Sequence, residues 1–183
     1  MKAFCEGLDV VEAVQKVIKA ASNKTVNPIL EGIKITAEDD TLTLVATDSE
    51  LAIEKKIKAD VKVEGETVVP GKFFSEFVKK LANEQIELDL NEKNQLKIKY
   101  TDSEVYIQCF NALEYPSIQK IDNAQFFTIS QSNFKNLIDK TIFSVALDDS
   151  RPILKGCLFE IEENQITSVA LDGFRLAKAT YPI

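Results

Sequence analysis

The sequence predicts an α+β fold, a repeated domain with two helices packed on antiparallel sheets and a second copy that is cut short. Three observations predict it. The stretch Asn27-Pro28-Ile29-Leu30-Glu31-Gly32 returns as Arg151-Pro152-Ile153-Leu154-Lys155-Gly156, an offset of 124. At the same offset, without a gap, Thr43-Leu44-Val45-Ala46-Thr47-Asp48 aligns with Thr167-Ser168-Val169-Ala170-Leu171-Asp172, and Val10, Val14, Val17 and Ile18 align with Phe134, Ile138, Thr141 and Ile142. Apolar residues recur at the helical period in three segments and alternate with polar ones in most of the rest.

The elements follow in order. Residues 1–6 read as a short strand. Residues 8–22 read as a helix: Leu8, Val11, Val14, Ile18 and Ala21 share a face, with Asp9 and Glu12 early and Lys16 and Lys19 late, as the helix dipole favours. The polar run ending in Pro28 stops it. Residues 29–37, 41–47 and 51–59 alternate as strands, with Asp39-Asp40 as the first hairpin turn. Pro70-Gly71 opens a second helix that runs to about Ala82 and carries Phe73, Phe74, Phe77, Val78 and Leu81. Strands are expected at 85–90, 94–100 and 104–110, and Tyr115-Pro116 begins a connection up to about residue 124. The order then repeats, with a strand at 125–129, a helix at 131–146 and strands at 152–161, 164–171 and 174–180. Residues 1–124 are thus one complete unit of two β-α-β-β-β halves, and residues 125–183 are the front half of another. A half unit leaves strands unpaired and a core incomplete, so the chain is expected to be a piece of a longer one.

Composition bounds the function. Hydrophobic residues make up 45% and charged residues 28%, mixed along the chain, which suits packed domains and excludes wholesale disorder. No run approaches the roughly 18 apolar residues of a membrane span, and the start is too short and polar for a signal peptide, so a cytoplasmic protein without a membrane partner is expected. Cys5, Cys109 and Cys157 are far apart and the chain has no histidine, which argues against structural zinc and against Cys-His or Ser-His catalysis. No metal and no cofactor are expected. Asp48 and Asp172 hold equivalent positions and are candidates for acid–base work, but an Asp at a strand end is more simply a turn residue. The glycines are isolated, so nothing cradles a phosphate. A non-catalytic protein is expected.

The net charge of −7 opposes nucleic-acid binding at first sight. Its distribution reverses that. The helical segments hold seven lysines against four carboxylates, a balance of +3, which leaves −10 for everything else. Charges farther apart than about 8 Å are screened at physiological salt, so basic helices can meet phosphate on an acidic molecule. The plainer alternative is that these lysines are only solvated. With no aromatic interleaving and no recognition helix, any DNA contact is expected to be with the backbone.

The duplicated front motif, the Phe73-Phe74 helix and Leu171-Asp172-Gly173-Phe174-Arg175-Leu176-Ala177 closely resemble the bacterial DNA polymerase III beta subunit, the sliding clamp family. The resemblance runs through the whole chain in order. It implies repeated clamp domains, three to a chain, and two chains closed head to tail into a ring with helices lining the hole. It implies duplex DNA as a sequence-independent partner. The replicative DNA polymerase, the clamp loader and repair proteins would dock through short hydrophobic motifs. By the resemblance, Lys24 and Arg151 match basic loop positions that meet DNA, and Lys16, Lys19, Lys79, Lys80, Lys135 and Lys140 face the duplex from the helices. Asp148 stands where the family can have an uncharged polar contact. The peptide pocket would take its front half from Leu154, Leu171, Gly173, Phe174, Arg175 and Leu176, with Leu171 replacing the usual threonine and Phe174 a frequent histidine. From their pattern alone, Leu154, Leu171 and Leu176 read as ordinary strand core. The homodimer interface would use the strand with Glu104, Val105, Tyr106 and Ile107 and the helix with Lys72, Phe73, Phe74 and Phe77. A stand-alone peptide-docking adaptor that never encircles DNA is the alternative.

Overall fold

The first strand, β1 (Lys2–Glu6), buries Ala3 and Cys5 by simple alternation and leads without a loop into α1 (Gly7–Val17). Gly7 permits that junction: a Cβ there would lie 1.8 Å from the Leu81 carbonyl oxygen, and its N–H donates to the Glu84 carbonyl at 2.8 Å. These details come from a computed structural model that describes residues 1–22, 26–118, 126–148 and 150–183. The chain divides into two units, Met1–Gln119 and Lys120–Ile183.

In the first unit α1 buries Val10, Val11, Ala13, Val14 and Val17, then tightens into a 3-10 turn, Ile18–Ala20. A second 3-10 turn, Pro28–Glu31, precedes β2 (Gly32–Glu38) and β3 (Thr41–Thr47). Between these strands Asp39 and Asp40 have φ of 46° and 53°, the doubly positive pair that a tight hairpin needs. There follow β4 (Ala52–Lys58), β5 (Asp60–Val63), β6 (Gly65–Pro70), α2 (Gly71–Val78) with a 3-10 turn at Lys79–Leu81, β7 (Gln85–Leu90), β8 (Gln95–Tyr100) and β9 (Ser103–Gln108). Two antiparallel sheets result, ordered β5-β1-β7-β8-β9 and β4-β3-β2-β6. The helices pack on each other, α1 against β3 and β4 and α2 against β2 and β6. Ile33, Ile35, Leu42, Leu44, Phe74, Ile86, Leu88, Leu96 and Ile98 are almost fully buried in this core. Each such side chain contributes about 1.5–3 kcal/mol on leaving water. Tyr115 closes the unit: its buried hydroxyl accepts from the Thr47 N–H at 3.1 Å and donates to the Gly32 carbonyl at 3.4 Å.

The second unit contains α3 (Gln131–Asp139), capped by Ser130 Oγ, which accepts from the Asn133 N–H at 3.2 Å. After 3-10 turns at Ile142–Ser144 and Pro152–Lys155 come β10 (Leu158–Glu162), β11 (Gln165–Leu171) and β12 (Leu176–Pro182), paired in that order. The 124-residue repeat is visible bond by bond. Adding 124 to the bounds of β3, β4 and the first two 3-10 turns gives those of β11, β12 and their two turns. The Ser22 N–H donates to the Leu30 carbonyl at 3.0 Å, and the Ala146 N–H donates to the Leu154 carbonyl at 2.9 Å. Where the first unit buries Val17 and Leu44, the second buries Thr141 and Ser168, whose hydroxyls meet at 2.9 Å.

Several elements depart from expectation. The strands expected at 29–37 and 152–161 begin only at Gly32 and Leu158, because the proline-led 3-10 turns take their first residues. All three helices are shorter in α-form than their periodicity, ending at Val17, Val78 and Asp139. Strands β5 and β6 had no forecast. Residues 126–129 form no strand, and residue 125 lies outside the described residues. Their counterpart at this offset, β1, is held between β5 and β7.

Candidate functional site

At the end of β11 the chain turns sharply into β12, and Asp172 builds the turn. One of its carboxylate oxygens accepts from the N–H groups of Phe174 at 2.9 Å and Arg175 at 3.0 Å, and the other accepts from Arg175 Nε at 2.9 Å. The backbone donors of Phe174 and Arg175, and then the guanidinium, hold the Asp172 carboxyl below the usual carboxylate range. Asp48 is lowered likewise by the N–H groups of Leu51 and Glu50. Carboxyls held ionised in this way make poor general acids near neutrality. The turn reading of both residues stands.

Gly173, at φ 93°, lets the chain reverse and throws Phe174 fully into solvent. Beside this turn lies a depression of about 300 Å³, with Leu154 and Ala146 on one flank, Asp172, Gly173 and Phe174 on the other, and Asp148, Ser150 and Arg151 completing it. The Ala146–Leu154 backbone bond ties the first flank together. Of the six residues expected here, Leu154, Gly173 and Phe174 line the depression. Arg175 and Leu176 follow directly at its edge in sequence, and Leu171 pairs with Leu176 across the strands. None of the three leucines is core: Leu154 and Leu171 are half-buried and Leu176 is 63% exposed. Ala146 and Ser150 were not anticipated, nor were Leu147 and Ile153, which stand about 90% exposed in the flanking segments. Bare aliphatic and aromatic groups around a small concavity suit an apolar anchor.

The helix lysines Lys16, Lys19, Lys79, Lys80, Lys135 and Lys140 are all exposed, as is Arg151. Lys16 lies 3.9 Å from Glu12, Lys135 is paired with Asp139, and Lys140 stands over the ring of Tyr181 at 5.0 Å. Lys72 and Lys79 share a shallow depression with Ile18 and Ala21 at the end of α1. Lys24 lies outside the described residues.

The strand with Glu104, Val105, Tyr106 and Ile107 is β9, an edge of the five-stranded sheet. Glu104 and Tyr106 face outward, joined by a hydrogen bond from the Tyr106 hydroxyl at 3.1 Å that raises the phenol's pKa. On α2, Lys72 and Phe73 are exposed, and Phe73 stacks on the half-buried Phe77 at 6.2 Å. Phe77 in turn meets Tyr100 of β8 edge-on at 6.0 Å. Two of the expected interface residues offer no side chain to the surface. Phe74 and Ile107 are 0% and 4% exposed and lie in the unit's own core. The helical period turns Phe74 inward with Val78 and Leu81, and the strand period turns Ile107 inward.

The three thiols are unremarkable in setting: Cys5 and Cys109 are buried and Cys157 is half-buried. Burial, then the carboxylates of Asp9 and Glu6, push the Cys5 thiol up to about 12.

Comparison with known proteins follows the same division. Residues 1–119 match the family described as DNA polymerase III beta subunit, N-terminal domain, and residues 128–183 match its central domain. The beta sliding clamp of Bacillus subtilis is 37% identical over 175 residues, which is 91% of this chain and 46% of that protein. The beta sliding clamp of Halalkalibacterium halodurans is 35% identical over 181 residues, 94% of this chain and 48% of its own. The crystal structure of the Bacillus subtilis clamp covers all of this chain with a TM-score of 0.95 at 33% identity, using 50% of that chain. This chain therefore spans about half the length of the curated relatives it matches. With two family domains matched in order and the repeat carried down to single hydrogen bonds, the chain belongs to the DNA polymerase III beta subunit family, the beta sliding clamps.

Proposed function

We propose that this chain is part of a clamp subunit that encircles duplex DNA and tethers the replicative polymerase, without catalysing a reaction. Residues 1–124 form its first clamp domain and residues 125–183 the front half of the second. The observation that supports this most strongly is the 124-residue recurrence of helix, turns and strands, because a ring built of similar arcs needs one unit used repeatedly. The exposed Lys16, Lys19, Lys79, Lys80, Lys135 and Lys140, with Lys24 and Arg151, meet phosphates. They read no base, so every register along the duplex is equivalent and the ring slides.

Polymerase, clamp loader and repair proteins dock a short hydrophobic motif beside the Asp172 turn, where Leu154 and Phe174 flank the concavity and Arg175 and Leu176 extend it. The free edge of β9 with Glu104 and Tyr106, and the exposed Lys72, Phe73 and Phe77 surface of α2, join a second chain of the same protein. The work is done in the cytoplasm and needs no cofactor. Primer extension on a singly primed circular template tests the reading. The intact protein from its source should lengthen the products made per binding event by its polymerase, and unchanged product length contradicts it.

A further inference from the structure

The two copies of the repeat treat one lysine in opposite ways. Lys16 and Lys140 are counterparts at the 124 offset. In the first unit Lys16 approaches Glu12, 3.9 Å away, while the counterpart of Tyr181 is the aliphatic Ile57. In the second unit the carboxylate is replaced by Asn136 and the isoleucine by Tyr181. Both replacements act in the same direction. Lys140 has no carboxylate partner among the described residues, and its Nζ sits 5.0 Å from the centre of the Tyr181 ring.

Tyr181 is a firm platform. It is half-buried on the face of β12 that carries the buried Ala177, and it is paired with the fully buried Ile166 of β11. Lys140 is the C-cap of α3, its N–H bonded to the carbonyls of Asn136 and Ile138. The backbone thus fixes the strand that carries the ring and the Cα from which the lysine reaches it. A carboxylate that holds a lysine cancels its field, whereas the face of an aromatic ring holds an ammonium and leaves the charge available. The neighbouring Lys135 illustrates the other case, paired to Asp139 one turn along.

We infer that Tyr181 is a positioning residue that holds Lys140 extended and unneutralised for contact with a DNA phosphate. The inference rests on the clamp reading above. A lysine already confined by a ring loses fewer rotamers on meeting its phosphate, so the second unit's helix grips DNA more firmly than its pattern of lysines alone implies.

The test measures binding of the intact protein to a short, labelled, blunt duplex over a salt series, by fluorescence anisotropy. Lys140→Ala should weaken binding about two- to fivefold and reduce the salt slope by about one phosphate. Tyr181→Phe should bind as the parent does. Tyr181→Leu should weaken binding about two- to fivefold, the range of an exposed cation–π contact. In a Lys140→Ala background, Tyr181→Leu should have no further effect. An unchanged melting temperature, together with loss of the ring-current shift on the Lys140 ε-methylene protons, would show that the ring acted through the lysine. If Lys140→Ala weakens binding and Tyr181→Leu does not, the positioning role is overturned and the clamp reading survives. If Tyr181→Leu weakens binding equally without Lys140, its role is structural and the inference fails. If the parent binds duplex with no dependence on salt, the clamp reading fails together with it.

Discussion

Asp48 and Asp172, 124 residues apart, hold the same turn in the two copies of the repeat. Asp48 Oδ1 accepts from the N–H groups of Glu50 at 3.0 Å and Leu51 at 2.8 Å, and Asp172 Oδ1 accepts from those of Phe174 at 2.9 Å and Arg175 at 3.0 Å. In each copy the aspartate's own N–H returns to the carbonyl three residues on, at 3.2 Å and 3.3 Å. The side chains after the aspartate differ, Ser49, Glu50 and Leu51 against Gly173, Phe174 and Arg175, so the turn is a shared frame that carries different surfaces in the two units.

Both carboxyls sit below the ordinary aspartate pKa, chiefly through backbone N–H donors. A depressed folded-state pKa means that each turn contributes stability above the unfolded value and loses it as pH falls through the folded value. Carboxyl-carbon NMR should therefore find Asp48 and Asp172 titrating at lower pH than an exposed aspartate. In Asp172→Asn the β11–β12 turn should lose its acid dependence. Titration of both at the ordinary value contradicts the bonding pattern.

The residue after each aspartate takes a left-handed conformation, Ser49 at φ 81° and Gly173 at φ 93°. A Cβ on Gly173 would meet nothing within 4 Å, so Gly173→Ala isolates the backbone term. It should destabilise the second unit by about 1 kcal/mol, and Ser49→Gly should leave the first unit as stable or slightly more so. Thermal melts of the two variants decide this. A neutral Gly173→Ala removes the strain argument.

Arg175→Ala combined with Leu176→Ala should weaken binding of a polymerase-derived hydrophobic peptide well over tenfold, about 2 kcal/mol or more for a lost anchor. Isothermal titration of the intact protein measures it. Unchanged affinity would place the docking site elsewhere.

Tyr115→Phe should destabilise the first unit by about 1–3 kcal/mol, because it leaves the buried Thr47 N–H without its acceptor. Urea denaturation followed by circular dichroism measures the loss. A change within a few tenths of a kcal/mol would mean that another acceptor replaces the hydroxyl.

Much of this was legible before folding, for physical reasons that can be named. Strict alternation located β3 and β7 at the forecast bounds, 41–47 and 85–90. Pro-Ile-Leu reads as the start of a strand in the sequence, because an apolar 3-10 turn has no period long enough to distinguish it from one. Strands β5 and β6 went unforeseen: β5 is only four residues long, and Gly65 opens β6 almost directly after it. Helix and strand phase turn the side chains of Phe74 and Ile107 inward, which the sequence pattern already carries. At the Asp172 turn Gly173 and Phe174 could be read from the motif. Ala146 and Ser150 could not, because a backbone bond between segments distant from that motif brings them there.

Retention on DNA of different topology tests the central claim most directly. The intact protein, loaded on a nicked circular plasmid and washed at high salt, should stay bound and should leave once the plasmid is cut to a linear form. Equal loss from circular and linear DNA at the same salt would contradict encirclement and leave only a surface that binds phosphate.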